Sequence, residues 1–374
     1  MQVTNRDLLP EGLEDRLPIS AAVAARVTRA MVDVLDSHGY DRVQPPLIEF
    51  EQSLASRMAG VQTRRMFRFV DPASLRNLAL RSDMTPQVGR IAATRLAGAA
   101  RPLRLCYAGQ VAQIKGDGLD STRERLQIGA ELIGNDSVDA AAEVVVTAVE
   151  ALRAAGASRI SVDFTLPDLV DMLAGEALPL AAEQIDSVRR ELDAKDAGGL
   201  VAAGGEAYLP LLYAMGDFDT AIAQLNAFAA ELSCGAELSG RIAQLKQIAT
   251  RVGDAARLTL DPTERHGFEY QSWFGFTIYA DGLRGAVGRG GSYRIGGQDE
   301  VAIGFSLYPD ALIDMLSGAQ QMPQMVFLPL GHDPVAAARL RDDGWRTLAA
   351  LTDADDAHAL GCSHVLQGGA AVDY

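Results

Sequence analysis

The sequence predicts an α+β fold: a mainly antiparallel sheet flanked by helices, with a helical insertion and a small C-terminal αβ unit. Three observations carry this reading. Short strand-like segments follow one another closely at 66–81 and 103–134, as hairpins do. Helix-period segments at 18–38 and 138–155 flank them. Residues 167–252 then lose β-branched alternation and turn Ala/Leu/Glu/Gln-rich, before strand signals return at 274–280.

The elements read in order. Leu9-Pro10-Glu11-Gly12 is a turn signal. Residues 18–38 form an amphipathic helix with Val23, Val27, Met31, Val34 and Leu35 at helical spacing, Ser20 as N-cap and Gly39 as C-cap. Tyr40 to Glu49 is extended and broken by Pro45 and Pro46, which belong at a sheet edge or strand end. Two short strands meet at an Asp71-Pro72 turn, and a helix starts at Thr85 with Pro86 in its first turn. Strands follow at 103–111, 123–134 and 159–164, with the Ala/Val-rich helix 138–155 between the last two. After the helical stretch, strands at 274–280 and 284–288 precede the glycine-rich Gly288-Arg289-Gly290-Gly291. Strand 301–307 leads into helix 309–317. A strand (MVFLPLG), a helix at 334–343 and a further αβ element close the chain. The implied domains are 1–165 and 255–320 as two parts of one core, 166–254 as a helical insertion and 323–374 as the terminal unit.

Composition narrows the function. The 374 residues carry 34 Lys+Arg against 49 Asp+Glu, a formal charge of -15. Proteins that grip nucleic-acid phosphates carry a net basic surface, so this balance opposes a nucleic-acid partner. Hydrophobic residues make up 48% and charged residues 22%, which excludes a mostly disordered chain. Cys106, Cys234 and Cys362 lie far apart, and the five histidines are scattered, so neither a disulfide framework nor a metal constellation can be read. No apolar run approaches a membrane span, and the first residues lack a leader's apolar stretch. The expectation is a soluble cytoplasmic protein with no metal, no cofactor and no membrane partner.

GxxxxGK[ST], GxSxG and HExxH are all absent. Instead, longer segments occur in a fixed order: Gly39-Tyr40 to Pro45, Leu80-Arg81-Ser82-Asp83-Met84-Thr85, Arg104-Leu105-Cys106-Tyr107-Ala108-Gly109, Gln127 to Gly134, Gly267-Phe268-Glu269-Tyr270, Gly290-Gly291-Ser292-Tyr293 and Gly304-Phe305-Ser306-Leu307. Together these segments resemble the catalytic core of class II aminoacyl-tRNA synthetases, specifically histidyl-tRNA synthetase, over about residues 8–320. The resemblance implies an antiparallel synthetase sheet and a dimer formed through the first of the segments. It also implies a histidine-like pocket from Asp83, Thr85, Gln127, Glu131, Tyr270, Gln271 and Tyr293. Asp83 and Thr85 would hold an ammonium group, and Glu131 would accept an imidazole N–H.

The departures from that pattern matter more. Adenylation needs cations on the ATP phosphates. The family's three arginines for this task fall here on Gln113, His266 and Ala311. Each lost charged hydrogen bond is worth about 1.5–3 kcal/mol, so adenylate formation is not expected and no catalytic residue is assigned. A synthetase core that lacks these arginines, lacks a full anticodon-binding domain and is acidic is similar to the family of ATP phosphoribosyltransferase regulatory subunits. That resemblance implies a non-catalytic role in the first step of histidine biosynthesis and in its feedback inhibition by histidine. The implied partners are a short-form catalytic subunit in a hetero-octamer, a second copy of the chain, and histidine. Two alternatives stay open: a divergent histidyl-tRNA synthetase or adenylating enzyme, and a stand-alone histidine sensor.

Other features have plainer readings beside functional ones. Asp83 and Glu131 can be carboxylates salt-bridged to local arginines. Gly288, Gly290 and Gly291 can serve a tight turn or a close backbone approach. The arginines at 57, 64, 65, 68, 76, 81, 90, 95, 101 and 104 form either a solvated surface or a contact patch for an acidic or phosphorylated partner. Cys106 reads as a core residue, and Trp273 as packing or as a wall of the pocket.

Overall fold

The computed structural model describes residues 8–55, 65–116, 121–232, 235–265, 271–296, 299–319 and 324–374. Contacts divide the chain into two compact units, 1–317 and 318–374.

The larger unit opens with helix α1 (Pro18–Ser37). Val23, Val27, Met31 and Leu35, spaced by four, are its buried face. Full burial of each is worth about 1.5–3 kcal/mol, so a single Val27→Asp would break the seat. Pro18 at the first turn starts the helix, and Leu17 is the N-cap. Ser20 therefore does not cap: it lies inside the helix and donates back to the Leu17 carbonyl at 3.0 Å. Gly39, at φ 78°, makes the left-handed exit.

The chain continues through β1 (Asp41–Arg42), β2 (Ile48–Phe50), α2 (Glu51–Ala55), β3 (Arg68–Val70), β4 (Asn77–Leu80), α3 (Thr85–Thr94), β5 (Leu103–Ala112), β6 (Glu124–Ile133), α4 (Val138–Ala154) and β7 (Ile160–Thr165). The helical stretch holds α5 (Leu169–Gly175), α6 (Ala182–Asp193), α7 (Ala197–Ala202), β8 (Gly216–Asp217), α8 (Phe218–Glu231) and α9 (Ala236–Val252). Then come β9 (Arg257–Leu260), β10 (Gln271–Ala280), β11 (Gly288–Ile295), β12 (Glu300–Leu307) and α10 (Asp310–Gly318).

Among the described residues, nine strands form one sheet in the order β1-β5-β6-β12-β11-β10-β7-β9-β8. Its pairs are antiparallel except β1–β5 and β7–β9. A small second sheet runs β2-β4-β3. One face of the large sheet buries Ile128, Ala130, Leu132, Ile303 and Phe305 against α1, α4 and the helical stretch, in one continuous cluster. The other face buries Leu105, Tyr107, Val111, Ile133, Tyr293 and Ala302 against Val88 of α3 and Met84, the residue that precedes it.

The expected strand at 284–288 is instead a connection, and Gly288 to Gly291 lies inside β11. Glycine is required there by close approach: a Cβ on Gly288 would overlap Leu307, and one on Gly290 would overlap Phe276. No described helix is long and apolar enough to cross a membrane.

The smaller unit contains β13 (Met325–Leu328), α11 (Pro334–Asp342), β14 (Arg346–Ala349), β15 (His364–Gln367) and β16 (Ala370–Asp373). Its sheet runs β14-β13-β15-β16, with the first three strands parallel. After α11 the described residues hold strands and turns rather than the further helix the sequence suggested.

Candidate functional site

Strand alternation builds the site. On β6, Gln127, Gly129 and Glu131 point to the α3 side, while Ile128, Ala130 and Leu132 enter the opposite core. β5 places Tyr107 opposite Gly129, and β12 places Gly304 opposite Glu131 and Ser306 opposite Gly129. These glycines leave room for polar side chains above the sheet. A Cβ on Gly129 would overlap the Tyr107 hydroxyl, and one on Gly304 would overlap the Glu131 carboxyl.

The N-terminus of α3 forms the roof. Gln127 Oε1 accepts the Met84 N–H at 2.9 Å, and Asp83 Oδ1 accepts the Thr85 N–H at 2.9 Å. Two of the helix's otherwise unpaired N–H groups are thereby satisfied. Gln127 Nε2 donates to Asp83 Oδ1 at 2.7 Å and to Ser306 Oγ at 2.8 Å. The Tyr107 hydroxyl donates to Glu131 Oε1 at 2.9 Å, with Thr85 Oγ1 at 3.1 Å and Ser306 Oγ at 3.2 Å from the same oxygen. Tyr293 donates to Glu131 Oε2 at 2.8 Å. The result is one connected network from half-buried Asp83 and Ser306 to fully buried Gln127, Glu131 and Tyr293.

Asp83, Thr85, Gln127, Glu131 and Tyr293 are thus brought together. Tyr270 lies outside the described residues, as do His266 and the side chain of Gln271. Asp83 and Glu131 take amide, backbone and hydroxyl donors rather than the local arginines. Tyr107 and Ser306 belong to the centre of the network and were missed from sequence. The available signal was that Tyr107 shares the inward phase of a strand next to Gln127 and Glu131.

Burial pushes the Glu131 carboxyl up to about 8, against the downward pull of the two tyrosine hydroxyls. Burial likewise raises the Tyr107 phenol well above its usual value, with Glu131 and Asp83 adding to it. Glu131 therefore keeps its proton through neutrality. The network offers acceptors for an ammonium group or an imidazole N–H.

The neighbouring residues are turned inward. Arg81, buried under Gly109, donates to the carbonyls of Gln110 at 2.7 Å and Pro45 at 2.9 Å. Gln113 accepts from Arg65 at 2.7 Å. Ala311 follows Asp310, whose carboxylate accepts from Arg16 at 2.6 Å and from the Leu126 N–H at 3.2 Å. Arg125 stacks on the Tyr308 ring at 4.5 Å. The arginine-rich stretch is not one surface, since Arg90, Arg101 and Arg104 pair with Glu49, Glu300 and Glu143. Trp273 packs away from the network, with its N–H on the Asp136 carbonyl and Arg241 over its ring. Cys106 is a core residue.

A mainly antiparallel sheet flanked by helices, with this network under a helix N-terminus, is the class II synthetase type of fold. A sequence family described as Histidyl-tRNA synthetase matches residues 12–312. The ATP phosphoribosyltransferase regulatory subunit of Rhodospirillum centenum is 42% identical over 97% of this chain and 95% of its own length. That of Gluconobacter oxydans is 35% identical over 97% and 96%. Among solved structures, an ATP phosphoribosyltransferase regulatory subunit/histidyl-tRNA synthetase from Bacillus halodurans superposes with a TM-score of 0.79 at 22% identity, covering 96% of this chain and 97% of that one. Histidyl-tRNA synthetase from Nostoc sp. superposes at 0.78 with 17% identity, covering 97% and 91%. These structural likenesses bear on the fold alone. The chain belongs to the histidyl-tRNA synthetase-like family and, within it, to the ATP phosphoribosyltransferase regulatory subunits.

Proposed function

We propose that the chain acts as the regulatory subunit of an ATP phosphoribosyltransferase, serving the first step of histidine biosynthesis and its inhibition by histidine. The observation that carries this is the match to regulatory subunits along nearly the whole chain, at 42% identity. The partner is a short-form catalytic subunit, in a hetero-octamer built on dimers of this chain, in the cytoplasm. Regulation of this kind is a coupling free energy of about 1–3 kcal/mol between ligand and partner states.

The pocket formed by Asp83, Thr85, Gln127, Glu131 and Tyr293 is the histidine site in this reading, completed by Tyr270 and Gln271. Its two carboxyls, half-buried Asp83 and buried Glu131, suit an ammonium and an imidazole. The chain is not itself catalytic, because Gln113, His266 and Ala311 stand where phosphate-binding arginines are needed. Gln113 is already engaged by Arg65, which supports that reading.

The test is co-expression with a short-form catalytic subunit, followed by mass measurement and a histidine inhibition curve. A stable complex whose activity depends on this chain and falls with histidine is expected. Robust pyrophosphate exchange with ATP and histidine by the chain alone would overturn the reading in favour of an adenylating enzyme.

A further inference from the structure

The pocket network is graded from mouth to floor. Asp83 and Ser306 are half-buried, as are Arg125 and Tyr308 beside them, while Gln127, Glu131 and Tyr293 are fully buried. A ligand in this network meets Glu131 with its deepest group and Asp83 with the group nearest the mouth.

Arg125 supplies a cation at that mouth. On the β5–β6 pair, Val111 lies opposite Arg125 and Gly109 opposite Gln127, and Val111 belongs to the α3-side core. Arg125 therefore shares the strand face of Gln127 and Glu131. Alternate residues of a strand sit about 6–7 Å apart, and Gln127 Nε2 is itself 2.7 Å from Asp83 Oδ1. The Arg125 guanidinium lies 4.5 Å over the Tyr308 ring. Stacking uses the flat face of a guanidinium and leaves its rim of N–H donors. Among the described residues that rim makes no hydrogen bond and no ion pair. Other arginines near the site are spent: Arg16 on Asp310, Arg81 on two carbonyls, Arg90 on Glu49 and Arg104 on Glu143.

The charges of the mouth meet at Tyr308. Burial raises its phenol and Asp83 adds to the rise, while Arg125 and Arg289 oppose it. An α-amino acid carries its ammonium and its carboxylate on one carbon, so an acid and a base must face a common space to hold it. Asp83 and Arg125 meet that condition. Asp310 stands close by, already taken by Arg16 and the Leu126 N–H. Between two carboxylates, one guanidinium balances a single negative charge. That suits a carboxylate and leaves the several charges of a polyphosphate unmatched.

We infer that Arg125, held by the Tyr308 ring, binds the carboxylate of the pocket's ligand, which is a whole zwitterionic amino acid with its side chain at Glu131 and its charged end at the mouth. This rests on the histidine-site reading of the pocket.

Calorimetry on the full chain, alone and assembled with its short-form catalytic subunit, compares L-histidine with histidinol, in which an alcohol replaces the carboxylate. The wild-type chain is expected to bind histidine about tenfold or more tighter, since a charged hydrogen bond separates the two ligands. Arg125→Gln should weaken histidine by about tenfold, leave histidinol as in the wild type and keep the melting midpoint. Arg125→Lys should retain part of the preference. Equal weakening of both ligands by Arg125→Gln, or no change in either, would overturn the carboxylate assignment and leave the histidine site standing. ATP that competes with histidine in the wild type but not in Arg125→Gln would give the guanidinium to a phosphate and overturn the assignment too. A wild-type chain that binds neither histidine nor histidinol would bring down the histidine site and this inference together.

Discussion

The Glu131 carboxyl lies directly over Gly304, its partner across the β6–β12 pair, in the space a side chain at 304 would fill. The site's most perturbed carboxyl therefore depends on a glycine more than 170 residues further along the chain. Gly304→Ala forces Glu131 off its two tyrosine donors or pushes β12 away from β6. Overpacking of this kind costs about 1–3 kcal/mol. Urea unfolding should show that loss, and a midpoint equal to wild type would show that the carboxyl has room to move.

Glu131 also makes stability depend on pH. Its folded value is raised from 4.5 to about 8. Between those values the folded chain holds a proton that the unfolded chain has released, so stability falls as pH rises through this window. Glu131→Gln stays neutral, accepting from one tyrosine hydroxyl and donating to the other, and removes the titration. Melting curves from about pH 5 to about pH 9 should show wild type losing more stability than Glu131→Gln toward the alkaline end. Parallel curves would show that Glu131 titrates in its ordinary range.

Much of this arrangement was readable before any coordinates. The inward phase of Gln127 and Glu131 follows from strand alternation, and the start of α3 from Pro86. Register was not readable, because it is set between distant strands. Nothing local places Gly304 beside Glu131 or Ser306 beside Gln127. Gly288 and Gly290 read as a tight turn or a close approach, and it is close approach that holds, since Leu307 and Phe276 occupy the space their side chains would need. Ser20 looked like a cap, but Pro18 begins the helix before it. Asp83 and Glu131 looked like partners for arginine, whereas the local arginines already had Glu49, Glu300 and Glu143.

Arg104 and Glu143 form a further tie that the sequence did not announce. Arg104 donates through Nε and Nη2 at 2.7 and 2.8 Å, and Tyr40 donates to the same carboxylate at 3.1 Å. The bridge joins β5, α4 and the exit of α1. Arg104 holds Glu143 below the usual carboxylate range, so its contribution is present at neutral pH and is lost as pH falls through that range. Both side chains are partly exposed, which screens the pair. A double-mutant cycle with Arg104→Met and Glu143→Gln should give a coupling of about 1 kcal/mol at neutral pH, shrinking under acid. A coupling near zero would make the pair geometric only.

Removal of residues 323–374 tests how far the larger unit stands alone. Its buried clusters draw on Val23 to Ile313, while the smaller unit buries Val326, Leu328, Ala336, Leu340 and Leu366 around its own sheet. Each unit thus has its own core, the condition for independent folding. The expected dimer segment from Gly39 to Pro45 and the pocket network both lie in the larger unit. The shortened chain should unfold in one cooperative transition and sediment as the same oligomer as the full chain. Monomers after truncation would place the self-contact in the terminal unit, and loss of cooperativity would show that the larger core needs it.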